Sequence, residues 1–381
     1  MNRTNAILPI FSWLIISGAI RAQQSPSQPA PQTARTENLR EAAGPESCAK
    51  ETGVLFLIKE HGKYGYIDKT GQIVIRPQYD YAENFCEGLA VVGISGTTTH
   101  FGVKHDEHSG GKYGYIDTNG KIIIQPQYDW AGGFWEGLAP VAVGGNWKGY
   151  IHYGGQHGYI NKTGKMAISA RYSDAREFSG GFAVVGVGGK WEGGELIDVR
   201  YGYLDKTGSM VIPARYENAG DFSEGLACAD GVVKGFIDKT GKVVLQPCGG
   251  WTFSEGLRPG PDGYIDKTGK VVIPREYLDA RGFSEGLAAV RGEKWGFIDK
   301  TGQLVIPLQY DDVVEFSGGL AAVLVGGKWG FINKAGELVI TPQFDTGDTR
   351  PIFFRGLAEV IVGHKWGYID TTGRYVWGPT N

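Results

Sequence analysis

The chain has 381 residues, of which 61 are Gly, 12% aromatic and 41% hydrophobic, and that balance excludes a disordered polymer and points to an ordered, turn-rich protein. The formal net charge is −3, and without residues 1–22 there are 36 basic residues against 41 acidic ones. That sign, with no basic run interleaved with aromatics, excludes nucleic acid as a partner.

Residues 1–22 read as a signal peptide: Arg3 supplies the positive start, Ala6 to Ile20 the apolar stretch, and Ala22 a small residue for cleavage. The apolar run is too short for a comfortable membrane span, and no Cys follows it to carry a lipid. The chain is therefore expected to be exported, periplasmic or secreted, with no membrane span after cleavage. Residues 23–52, rich in Gln, Pro, Ser and Ala, are expected to be a flexible linker.

From residue 53 to 377 one pattern recurs. Its marker is a Gly followed by Tyr or Phe and then Ile or Leu, at Gly65, Gly114, Gly158, Gly202, Gly235, Gly263, Gly296, Gly330 and Gly367. A period near 34 over nine copies means an array of small units that must stack to bury their faces. After each marker comes Asp-Lys-Thr-Gly or a variant, such as Asp299 to Gly302 or Asn333 to Gly336. Asp or Asn bonds nearby amides and Gly takes the left-handed conformation, which closes a hairpin.

The run after this turn, such as Lys270-Val-Val-Ile273, is then the returning strand, expected to stop at a Pro that cannot continue a ladder. A further strand precedes the marker, as in Gly319-Leu-Ala-Ala-Val323. Linkers between units carry an aromatic (Tyr79 or Tyr310, for example) and Phe-Ser-Glu-Gly or a relative, and the aromatic and Phe are expected to plug the gap between neighbours.

The predicted fold is thus all-β: nine three-stranded antiparallel β-meanders stacked as an elongated, curved array over 53–377, with a tail at 378–381. A closed propeller-like ring is the alternative, placed second because nine blades exceed the usual number and three strands fall short of the usual width.

The pattern Trp-Gly-[Tyr/Phe]-Ile-Asp-Lys-Thr-Gly, followed by Val-Ile, Pro, Tyr-Asp and Phe-Ser-Glu-Gly-Leu-Ala, resembles the bacterial WG-repeat family, also called KWG repeats. The resemblance covers about residues 53–377 and implies a β-hairpin repeat scaffold. It departs at Tyr64, Tyr113, His157, Tyr201, Lys234 and Asp262, which replace Trp before the marker.

The candidate functional residues lie where length is inserted. Between the first and second strands, three consecutive units carry extra residues at about 93–112, 144–156 and 186–200, which places the insertions on one edge of the array. They hold His100, His105 and His108, then Trp147, Tyr150 and Tyr153, then Trp191, and are expected to form a shared binding surface. The competing reading is of solvated, elongated hairpins. The three His suggest metal ligands, but their Gly- and Thr-rich loop makes no fixed cage, so no metal and no cofactor are expected.

Gly282-Phe-Ser284-Glu-Gly286 matches a nucleophile elbow on paper, yet its Ser recurs at 179, 223, 254 and 317, so it belongs to the repeat and not to a catalytic centre. Asn161-Lys-Thr163 is likewise a turn that happens to spell a glycosylation sequon. Cys48, Cys86, Cys228 and Cys248 fit no zinc spacing; two disulfides (Cys228 with Cys248, Cys48 with Cys86) or small linker residues both remain open. These features point to a non-catalytic, exported scaffold for a protein partner. A binder of cell-envelope polysaccharide, using aromatic faces, is the alternative.

Overall fold

Local turn chemistry sets every hairpin. Asp299 Oδ1 accepts hydrogen bonds from the Thr301 amide at 2.8 Å, the Thr301 hydroxyl at 2.6 Å and the Gln303 amide at 3.0 Å. Gly302 follows in the left-handed region at φ 88°. The same set recurs at Asp205 and Asp266, and Asn161 reproduces it with its amide oxygen. A side-chain oxygen held within four residues of its donors needs no tertiary support, so the turn follows from sequence alone.

The computed structural model describes residues 54–101, 105–148, 151–192, 195–231, 234–249, 252–347 and 350–380. The expected signal peptide and linker lie outside them. The described residues contain no helix and form nine antiparallel blade sheets besides two short two-stranded ribbons: blade 1 (56–79), blade 2 (81–128), blade 3 (130–172), blade 4 (174–216), blade 5 (218–245), blade 6 (257–274), blade 7 (279–310), blade 8 (312–345) and blade 9 (353–380).

Two expectations are corrected. Blades 1 and 6 have three strands, but the other seven have four. The extra strand comes from the linker: Tyr81–Ala82, for instance, pairs with Leu89–Ile94. The linker has unpaired backbone groups to satisfy, and the exposed edge of the meander supplies their partners. Nor do most of the returning strands end at Pro: Leu304–Tyr310 runs through Pro307, and Val271–Pro274 of blade 6 is an exception. The register slips between Trp295 and Phe297, so the Pro sits in a bulge where no ladder donor is required. The marker glycine faces that bulge, and a β-carbon on Gly296 would lie 2.4 Å from the Ile306 carbonyl oxygen.

The core is a set of layers between successive blades. Val91, Tyr115 and Ile124 of blade 2 meet Phe134, Ala139 and Ile160 of blade 3, and equivalent clusters fill every later interface. Each linker Phe packs against the aromatic after the preceding marker, as expected: Phe134 on Tyr115 at 4.9 Å, Phe178 on Tyr159 at 5.0 Å, Phe316 on Phe297 at 4.9 Å. The small residue of Gly-Leu-Ala (Ala90, Ala139, Ala183, Ala227, Ala288, Ala321, Ala358) lets the neighbouring blade approach.

The ninth layer joins the ends. Phe56, Ile58 and Ile67 of blade 1 pack with Leu357, Trp366, Tyr368 and Trp377 of blade 9. Of the two arrangements expected, the closed ring is the one found: a nine-bladed β-propeller. An open stack would leave both faces of this layer in water, at about 25 cal/mol per Å² of apolar surface.

Candidate functional site

The repeat's polar residues are almost all used to lock blades together. Ser284 Oγ donates to the Phe316 carbonyl at 2.8 Å, and Ser179, Ser223 and Ser317 make the same bond to the Phe of the next linker. Glu255 accepts from the Gly286 amide at 3.2 Å and pairs with Lys300 at 3.0 Å, both in the following blade. Glu87, Glu136, Glu224 and Glu285 repeat that latch. The Lys before the marker aromatic pairs with the Asp of the linker, as Lys112 with Asp129 at 2.6 Å, while Asp129 also takes the Gly144 amide at 2.8 Å.

What the repeat leaves over is concentrated on blades 2 to 4. In blade 2 the insertion forms a two-stranded ribbon, Thr97–Phe101 with His105–Ser109. Its backbone register sets His100 opposite Asp106, His105 opposite Phe101 and His108 opposite Thr98. In blade 3 a second ribbon pairs Asn146–Lys148 with Ile151–Tyr153, putting Trp147 opposite His152; Tyr150 lies outside the described residues. In blade 4 the two strands simply lengthen to Phe182–Glu192 and Glu195–Asp205, with Trp191 opposite Leu196.

The insertions of blades 3 and 4 touch each other, and the blade 3 ribbon also reaches the strand that follows the blade 2 insertion. The Trp147 indole of blade 3 stacks on Tyr113 of blade 2, with centroids 6.0 Å apart and planes 25° from parallel. Tyr153 of blade 3 meets Trp191 of blade 4 at 6.0 Å. Of the residues expected from sequence, the structure puts Tyr153 and Trp191 in contact across a blade boundary, while Trp147 meets Tyr113, a residue outside that set.

Beneath them runs a line of rings that sequence reasoning did not assemble. Trp147 contacts His152 at 5.2 Å, His152 contacts His157 at 6.0 Å, and His157 contacts Trp130 at 5.8 Å. On the other side Tyr113 meets Tyr81 at 5.6 Å, and the Tyr81 hydroxyl donates to Glu83 at 2.7 Å. Burial, and then the Glu83 carboxylate, raise the Tyr113 and Tyr81 hydroxyls well above their usual range.

Both imidazoles are pushed down by burial. For His157 this outweighs the attraction of Asp174, and for His152 repulsion from His157 adds to it. His152 Nε2 is held by the Gly144 carbonyl at 3.0 Å, which fixes it as the donor, while the buried Nδ1 atoms of both rings have no hydrogen-bond partner. The available signal was the substitution of His157 for the Trp of the pattern, but only packing places His152 against it.

The six departures from Trp differ in outcome. Tyr64, Tyr113 and His157 are buried, Tyr201 is half-buried, and Lys234 and Asp262 are exposed. Among the described tryptophans, Trp295, Trp329, Trp366 and Trp377 are buried, whereas Trp130, Trp135, Trp147 and Trp191 keep part of their surface in water. All four of the latter belong to blades 3 and 4.

Cys228 and Cys248 form a disulfide with α-carbons 5.6 Å apart. Cys86 is also disulfide-bonded, and Cys48, its expected partner, lies outside the described residues. No group of three His, Cys, Asp or Glu side chains suited to a metal occurs among the described residues. Among the described residues no helix is long and apolar enough to cross a membrane.

The model of the WG containing repeat matches seven segments, residues 64–97, 113–147, 158–191, 201–229, 263–291, 295–329 and 329–362. No curated protein matches the sequence. Among solved structures, apo AztD from Citrobacter koseri is similar over 85% of this chain and 93% of its own, at 10% identity and a TM-score of 0.39. BamB from Moraxella catarrhalis is similar over 84% of this chain and 92% of its own, at 13% identity and a TM-score of 0.34. The ring itself is read from this chain's own blade contacts.

Proposed function

The chain belongs to the WG-containing-repeat family, and from that premise we propose that it is a non-catalytic, exported scaffold that grips a protein partner on the ridge above blades 2 to 4. The observation that carries this reading is the pair of cross-blade contacts, Tyr113 to Trp147 and Tyr153 to Trp191, which joins the insertions of blades 3 and 4 to each other and to the strand that follows the blade 2 insertion. Partly exposed aromatic residues on a rigid support favour association, since they present area at little cost in conformational entropy.

Export is supported by the signal-like stretch at 1–22 and by disulfide pairing, which persists in oxidising compartments. The absence of a catalytic role is supported by Ser284, whose hydroxyl is engaged in a blade latch shared with four other blades.

A second reading, binding of envelope polysaccharide, draws on the partly exposed Trp130, Trp147 and Trp191, whose faces suit sugar rings. The test is a comparison of the full mature chain with a variant in which the ribbons at 97–109 and 146–153 are replaced by short turns. Cross-linking in the native envelope should capture a defined protein with the former and not the latter. Retention on insoluble cell wall, lost in the trimmed variant, would instead favour the sugar; capture by both forms alike would sink the ridge as the site.

A further inference from the structure

Blade 6 breaks the repeat twice, at Arg258, which lines a cavity, and at Asp262, whose neighbours Pro261 and Gly263 line the same cavity. At the position where seven blades carry Ala it has Arg258, 3% exposed. The guanidinium lies over Phe236 at 4.8 Å and Phe253 at 5.8 Å. It donates to the Pro247 carbonyl at 3.0 Å and the Pro259 carbonyl at 3.3 Å, while its buried Nε has no partner. No carboxylate pairs with it among the described residues. A buried cation held only by carbonyls and ring faces retains unmet charge.

The second break is Asp262, which replaces the marker Trp and is exposed. Without an indole to pack on, the returning strand stops at Pro274 instead of running on for three more residues, and Tyr277 is half-buried where Tyr79, Tyr128, Tyr172, Tyr216, Tyr310 and Phe344 are buried. The space left is a cavity of 310 Å³, lined by Arg258, Tyr264, Ile273, Arg275, Tyr277 and Ala280 among others. Arg275 braces its rim through the Pro261 carbonyl at 3.0 Å. Two acids also line it: Glu276 is exposed, and Asp279 is paired with Arg291 at 3.5 Å. The cavity's inner charge is therefore the positive one, and its walls are aromatic and aliphatic.

We propose that this cavity binds a small organic anion, its charged group on Arg258 and its flat apolar body against the half-buried ring of Tyr277. The volume is at the lower end for ligand sites, which limits the occupant to roughly the size of a substituted benzene ring. Guanidinium accepts carboxylate and phosphate alike, so the chemistry shared by both is what the site recognises.

Calorimetric titration of the full mature chain with benzoate, phenyl phosphate and neutral benzyl alcohol tests this. At least one anion should bind saturably, the tighter of the two naming the class, and benzyl alcohol should not. Arg258→Ala restores the residue that seven other blades carry, so it should fold, and it should weaken the anion by at least about tenfold. Arg258→Lys, which keeps the charge but loses the fork, should fall between them and serves if the Ala variant does not fold. Binding of neither anion, equal binding of benzyl alcohol, or undiminished binding by both variants would overturn the proposal.

Discussion

Tyr368 Oη donates to the carbonyl oxygen of Leu57 at 2.9 Å, across 311 residues of chain. Tyr115, Tyr159, Tyr203 and Tyr264 each make the same bond to a carbonyl 17 residues ahead, in the linker to the next blade. Leu57 thus stands where a linker would be if a tenth unit followed the ninth. Two neighbours complete the seam: Phe56 packs on Tyr368 at 5.6 Å, and a β-carbon on Gly71 would lie 2.1 Å from the Val376 carbonyl oxygen. The ring closes by repeating its ordinary blade contact, with no exchange of strands between its ends.

Phe56→Ala should therefore destabilise both ends at once. Removing a buried Phe costs about 3–5 kcal/mol, and amide exchange should quicken in 56–60 and in 365–370 while 295–310 stays protected. If only the first segment responds, the seam does not exist in solution. Tyr368→Phe, which deletes just the hydrogen bond, should cost about 1 kcal/mol by denaturant unfolding.

Ser284→Ala removes one bond between blades 7 and 8 and should cost about 1 kcal/mol. The same change at Ser317, which bonds to Phe353, should cost a similar amount. Chemical denaturation of both variants checks this; a serine with a private catalytic role would instead leave stability unchanged.

His152 and His157 predict loss of stability in acid. Burial lowers both imidazoles in the folded chain from the ordinary value of 6.5, so the unfolded chain binds protons first as pH falls. Their contribution is complete above that value and declines as pH drops from 6.5 towards the lowered folded values. The melting temperature should fall between pH 7 and pH 5, and His157→Tyr, the residue already at positions 113 and 201, should flatten that fall. An unchanged slope in the variant would show that other groups govern it.

Reducing the Cys228–Cys248 bond, which closes a 20-residue separation, should cost about 3 kcal/mol. The matched pair of Cys→Ser substitutions should show the same loss in urea without reductant, and further thiol should then change only what the Cys86 bond contributes.

The sequence by itself determined the turns, the three strands of each repeat, the number of units and the linker Phe that plugs each gap. Those features rest on contacts within a few residues, such as Asp299 with Thr301 and Gln303, or on a pattern repeated nine times. Tertiary structure alone decided the rest. Ring or open stack depends on the rotation from blade to blade summed over the whole array, and a small difference per unit separates the two. The fourth strand needed an edge to pair with, the His152–His157 contact needed a ribbon folded back over its own blade, and the Arg258 cavity needed a missing indole in the next strand. Each of these joins residues whose separation the repeat period does not record, so no reading of spacing could have supplied them.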